Sequence, residues 1–113
     1  MNVIVQSKTM TVTQALRDFS AKQAKKFSRS GRKIEQVVVF LEIVKKKKND
    51  MQAATAQFLI AVPGKDIVVR QRAKDMYQAI TSAADRALQQ LHKAKEKQLM
   101  RRARVQVVPL EAS

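Results

Sequence analysis

The sequence predicts an α+β domain with the element order β-α-β-β-β-α, a four-stranded mixed sheet with two helices on one face. Two stretches carry apolar residues at helical spacing, four carry β-branched residues in strand-like runs, and turn signals separate them. A chain of 113 residues is one domain of ordinary size, and a hydrophobic fraction of 45% favours a packed core over disorder. The first β-α-β unit reads as a right-handed crossover joining parallel strands, and the later strands as antiparallel hairpins.

Asn2–Gln6 reads as a short strand because Val3, Ile4 and Val5 give it β-branched character. Thr11 offers a helix N-cap with Gln14 as its capping-box partner, and Val12, Ala15, Leu16, Phe19 and Phe27 follow as an apolar stripe. The first helix is therefore expected from about residue 12 to about residue 28. Its cations Lys22, Lys25, Lys26 and Arg29 stand at i, i+3, i+4 and i+7, one continuous flank. Ser30 and Gly31 stop the helix, and Arg32 and Lys33 add charge at the turn.

From Ile34 to Lys46 the period becomes two. Val37, Val39, Leu41 and Ile43 point to the core, while Val38, Phe40, Glu42 and Val44 form a second face apolar enough to be partly covered or to meet a partner. The four lysines at 45–48, with Asn49 and Asp50, form a hairpin loop that reads equally as solvated or as a phosphate contact. Ala54–Val62 is the next strand, with Phe58, Ile60 and Val62 on one side, and Pro63, Gly64 and Lys65 make a turn. In the strand from Ile67 to Arg72, Ile67 and Val69 face one way and Val68, Arg70 and Arg72 the other.

The last helix opens on Asp75 as N-cap, with Gln78 in the capping-box position. Met76, Ile80, Ala83, Ala84, Ala87, Leu91 and Ala94 fall on one face, and Arg86, Gln90, Lys93 and Lys97 form a second stripe a quarter-turn or more away. Lys95, Lys97, Arg101 and Arg102 near its end suit the helix dipole. Residues 1–102 are expected to form the domain, and 103–113 a flexible C-terminal tail.

Charge points to the partner. Lys and Arg number 23 against 9 acids, a formal net charge of +14, which suits a polyanion. Nucleic acid comes first and an anionic membrane surface second; the bland alternative is a basic solvated surface. The apolar stripes are Ala, Leu and Ile sized for a core, which ranks a membrane-surface role last. With both helices on one side of the sheet, Lys22, Lys25, Lys26 and Arg29 would face Arg86, Lys93 and Lys97 across a groove and form one patch. Most of the aromatic residues Phe19, Phe27, Phe40, Phe58 and Tyr77 sit at core positions, which leaves few platforms for base stacking. Recognition by phosphate and shape, as in structured RNA, fits better than single-strand reading. A general structured-RNA or DNA-binding module is the alternative to any more specific role.

Several classes are disfavoured. There are no cysteines, so neither a disulfide framework nor a zinc ribbon is available, which fits a reducing intracellular setting. No signal peptide is visible, and the longest apolar run, Val37 to Leu41, is far short of a membrane span. Gly31 and Gly64 are the only glycines, so no phosphate-cradling glycine fingerprint exists. His92 has no base-orienting partner, and Asp75 and Asp85 stand ten residues, about 15 Å, apart along one helix. No enzyme activity, cofactor, metal or small-molecule substrate is expected.

Three segments carry a family resemblance: Asp75, Met76, Tyr77, Ala79, Ile80, Asp85, Arg86, Gln90, Leu91, Lys93, Lys95 and Lys97 in the last helix; Val12, Thr13, Ala15, Leu16, Arg17 and Phe19 in the first; Ile34, Val37, Val39 and Leu41 in the strand. In this order and spacing, over about residues 1 to 100, the chain resembles the ribosome hibernation promoting factor family, which includes ribosome-associated inhibitor A, in its single-domain form. The resemblance implies a fold similar to a double-stranded-RNA-binding domain. It also implies a cytoplasmic protein that binds the small ribosomal subunit and its ribosomal RNA, alone or in the whole ribosome. The site would be the channel of messenger and transfer RNA, and occupancy would block translation under stress or in stationary phase. Carried over by position, the RNA-contacting residues are Arg86, Lys93, Lys95 and Lys97; Lys22, Lys25, Lys26 and Arg29 lie on the other helix the family uses.

Long members of that family carry a second, ribosome-pairing domain that this chain is too short to hold. Some single-domain members carry an acidic tail, whereas the tail here sets Glu111 against Arg101, Arg102 and Arg104. Both an inhibitor that keeps ribosomes single and a short factor that promotes pairing stay open. Arg70 and Arg72 make the last strand unusually basic and suggest a second RNA contact.

Overall fold

The computed structural model describes residues 2–43 and 54–93. Strand β1 (Asn2–Gln6) leads to helix α1 (Gln14–Lys25), which tightens into a 3-10 turn at Lys26–Ser30. Strands β2 (Gln36–Ile43), β3 (Ala54–Val62) and β4 (Lys65–Ala73) follow, and residues 76–93 form helix α2. The sheet order is β1-β2-β3-β4, with β1 parallel to β2 and the other pairs antiparallel. This is the mixed sheet expected from the sequence. The expected lysine loop at 45–48, the end of its preceding strand at 44–46, Ala94, and the boundary between domain and tail lie outside the described residues.

Period-two alternation sorts the sheet into two unlike faces. Val37, Val39 and Leu41 on β2, Ala56, Phe58 and Ile60 on β3, and Ile67 and Val69 on β4 are buried in one cluster. The ladder puts Val39 opposite Phe58 and Phe58 opposite Val69, so this apolar row is continuous across three strands. Leu16 and Ala24 from α1 and Phe27 from its 3-10 turn join the same cluster, as do Met76, Ala79, Ile80, Ala83, Ala84, Ala87 and Leu91 from α2. Both helices therefore cover one face. Phe27 meets Phe58 edge to face, with ring centroids 5.5 Å apart.

The other face carries no helix. Ile4, Val38 and Leu59 pair across it, which buries Val38 between its neighbours but leaves Ile4 exposed; Val68 beyond them is 53% exposed. Phe40 is half-buried there. The excess of apolar residues on this side is thus partly covered by the sheet's own side chains.

Local details differ from the sequence reading. The N-cap of α1 is Thr13, whose hydroxyl oxygen accepts from the Leu16 N–H at 3.2 Å, rather than Thr11. Met10 and Val12 pack against the core, and Thr13 is itself extended, so the first helical residue is Gln14. Ala15, expected inward, is exposed, and the inner face instead buries Ser20 and Gln23. The helix ends in a 3-10 turn, so Lys26 and Arg29 no longer continue an α-helical flank. Gly31 closes it at φ 73°, the left-handed conformation that glycine adopts without a Cβ clash. Ile43, expected in the core, is 41% exposed at the end of β2. Strand β4 extends beyond the expected span at both ends.

Candidate nucleic-acid interface

Topology gathers several of the candidate residues at one end of the domain. Because β1 and β2 are parallel, α1 must run back against them. Two antiparallel steps restore the direction in β4, so α2 also runs back. The C-terminal end of α1, the last described turn of α2, the start of β2 and the β3–β4 turn therefore meet at the same end. The negative end of the α1 dipole lies there, a place where cations are stabilised.

Each element in that region is locally fixed. The Ser30 hydroxyl donates to the Phe27 carbonyl at 2.7 Å and accepts from the Arg32 N–H at 3.3 Å, which holds the backbone from which Arg32 springs. The Glu35 N–H donates to the Ala61 carbonyl at 2.9 Å and ties that loop to β3. Pro63 and Gly64 close a two-residue turn, with Gly64 at φ 83° and Lys65 opposite Val62. Nothing lies within 4 Å of a Cβ built on Gly64, so its constraint is the backbone angle rather than space. On α2, the Asp75 carboxylate accepts from the Gln78 N–H at 2.9 Å, which confirms the expected N-cap and sets the phase of the helix.

These supports build a cleft of about 440 Å³ lined by the cations Arg32, Lys65 and Lys93, by Gln90 and Asp66, and by the apolar Val62, Ile67 and Val68. Three residues singled out in the sequence, Arg32, Gln90 and Lys93, thus converge, although they come from distant parts of the chain. Lys65 joins them. The sequence reading took it as part of a turn, and only the pairing of β3 with β4 and the return of α2 bring it to Lys93.

The α2 stripe does not face α1 across a groove. Phe19 of α1 packs edge-on against Tyr77 of α2, with centroids 5.0 Å apart. At 100° per residue Tyr77 lies roughly opposite Arg86 and Lys93 around the helix. Ser82, on the stripe's side, places its hydroxyl 3.5 Å from the Gln71 amide oxygen on β4. The stripe is therefore turned toward the β4 edge and away from α1. A second helix was expected to complete the groove, but the sheet edge completes it.

Lys22, Lys25, Arg29 and Lys33 are exposed, Lys26 and Arg32 are half-buried, and Arg86, Gln90 and Lys93 are exposed. Lys95 and Lys97 lie outside the described residues. On the open sheet face Arg70 stands 3.8 Å from the Glu42 carboxylate, a solvent-exposed pair of small energetic weight that offsets part of that face's positive charge. Arg72 is exposed on the same face. His92 is exposed and borders a shallow depression with Asp85, Leu88, Gln89 and Lys93. Among the described residues, no helix is long and apolar enough to cross a membrane, and no three His, Cys, Asp or Glu side chains gather as a metal site.

The chain is similar to several known proteins. The ribosome hibernation promoting factor of Pseudomonas putida is 34% identical over 98 residues, covering 87% of this chain and 90% of that protein. The factor of the same name from Azotobacter vinelandii is 34% identical over 101 residues, 89% of each chain. The crystal structure of the Protein Y N-terminal domain of Thermus thermophilus superposes with a TM-score of 0.65 at 27% identity, covering 81% of this chain and 93% of that one. A ribosomal subunit interface protein from Coxiella burnetii shares the fold, with a TM-score of 0.67 at 19% identity over 85% of this chain and 99% of that one. The family described as sigma 54 modulation protein / S30EA ribosomal protein matches residues 3–99, and the chain belongs to that family.

Proposed function

We propose that this protein is a ribosome-associated hibernation factor. It binds ribosomal RNA of the small subunit in the channel of messenger and transfer RNA, and blocks translation by occupancy when cells are stressed or stationary. The reading is supported by one observation above the others. Arg32, Lys65, Gln90 and Lys93 converge at one end of the domain, in a chain that matches ribosome hibernation promoting factors over 90% and 89% of their length. Lys22, Lys25, Lys26, Arg29, Lys33 and Arg86 extend the positive surface along the two helices, and Lys95 and Lys97 continue the α2 stripe in sequence. Phosphate and shape carry the recognition, because Phe27 and Phe58 are buried in the core and Phe19 is committed to Tyr77.

Sedimentation of ribosomes with the protein through a sucrose gradient tests this reading. Co-migration with small subunits or whole ribosomes is expected, and the ratio of single to paired ribosomes separates an inhibitor from a pairing factor. Protein that stays at the top of the gradient at low salt overturns the reading and leaves a general nucleic-acid binder.

A further inference from the structure

The cleft between the β4 edge and the last described turn of α2 is bordered by an acid as well as by cations, with Asp66 and Val68 on the helix-free side of β4 and Lys65 on the helix side. Arg32, Lys65 and Lys93 bring three positive charges to it, which suits a backbone phosphate. Asp66 lines the same cleft and opposes any anion there, so a phosphate alone does not account for the set. Val68 beside it presents an apolar surface more than half exposed. A ribonucleotide answers all three features. Its phosphate takes the cations, its sugar packs on an apolar side chain, and its 2′-hydroxyl is a donor in search of an acceptor. Ionised aspartate is an acceptor only, with no donor of its own to compete.

We propose that this cleft binds one nucleotide of a structured RNA, with the phosphate on Arg32, Lys65 and Lys93 and the ribose 2′-hydroxyl donating to Asp66, so that Asp66 distinguishes RNA from DNA. The inference rests on the RNA-binding reading above, which already includes Lys65, and adds Asp66 to it. Both are exposed on an edge strand, so replacing them leaves the core untouched.

The test uses the full chain and two labelled duplexes of one sequence, RNA and its 2′-fluoro analogue, which keeps the A-form and loses the hydroxyl donor. Fluorescence anisotropy reads affinity across a salt series. The unmodified protein is expected to prefer RNA by about tenfold, the scale of one hydrogen bond to a charged group. Asp66→Ala brings the ratio close to one without weakening binding to the analogue, and Asp66→Asn, whose carbonyl still accepts, keeps part of the preference. Lys65→Ala weakens both duplexes alike and lowers the salt slope by about one. The inference is overturned if the unmodified protein binds the two duplexes equally or binds neither. An Asp66→Ala variant that keeps the full preference overturns it as well, as does a Lys65→Ala variant with unchanged affinity and slope. Ribosome sedimentation of the unmodified protein judges the broader reading separately, since it does not depend on the analogue.

Discussion

The two helices carry the same two features, an apolar stripe and a basic flank, yet the fold uses them differently. Helix α2 is regular, begins on an aspartate cap and buries Ile80, Ala83, Ala87 and Leu91 completely. Its flank is held against the β4 edge, where Gln90 and Lys93 meet Arg32 and Lys65. Helix α1 takes its cap two residues later than the first possible one, buries Ser20 and Gln23, and finishes as a 3-10 turn. Its cations Lys22 and Lys25 stand in solvent. A stripe read from spacing therefore says which way a flank points relative to the core, but the neighbouring element decides whether the flank becomes part of a site.

The sharpest way to break this comparison is at the α2 core. Ile80→Asp places a charge where the side chain is fully buried and is expected to cost roughly 4 kcal/mol or more, enough to unfold much of the population. A melting curve that matches the unmodified protein would mean the α2 faces are assigned backwards. Next comes the contrast between flanks. Arg32→Ala with Lys93→Ala is expected to weaken RNA binding by roughly tenfold and to reduce the salt slope by nearly two, while leaving the melting temperature unchanged. Lys22→Ala with Lys25→Ala should cost less, because those side chains stand exposed outside the cleft. Equal losses would show that the two flanks act as one surface after all.

Smaller effects sharpen the picture of α1. Thr13→Ala removes the cap that accepts from Leu16 and should cost about 1 kcal/mol, whereas Thr11→Ala should be close to neutral. Denaturant titration resolves the two, and a larger cost at Thr11 would move the cap back to where the sequence first suggests it. Last is Ala15→Glu, expected within about 0.5 kcal/mol of the unmodified protein because the position faces water. A loss of several kcal/mol there would return Ala15 to the core.

Much of the fold was legible because strong local signals agreed with the tertiary outcome. Strands β1 and β3 have the bounds their β-branched runs suggest, and Gly31 and the Pro63–Gly64 pair stop elements where expected. The α2 stripe was readable because apolar residues occupy every inner position among the described residues. The α1 details were not, because two threonines offer equivalent caps and only the packing of Met10 and Val12 chooses between them. The outward turn of Ala15 was hidden for a related reason, since alanine is small enough to sit on either face. Of the candidate site, the α2 stripe and Arg32 were visible as charges in sequence. The cleft was not, because Lys65 and Lys93 become neighbours only through strand pairing and the return of α2, which no local spacing encodes.

The sheet order also governs how the chain finds its structure. Strands β2, β3 and β4 pair with their neighbours in sequence, and the β3–β4 turn spans two residues. Strand β1 pairs with β2 only after the whole of α1 and its 3-10 turn has crossed over. Closing the long crossover costs more loop entropy than closing a tight hairpin, so the three-stranded meander is expected to form early and β1 to dock late. The same asymmetry should persist in the folded state. Amide hydrogens of β1, an edge strand held by a single neighbour, should exchange sooner than those of β3, and the reverse order would place the crossover in the folding nucleus. The outermost parallel strand is then the seam along which this domain opens first.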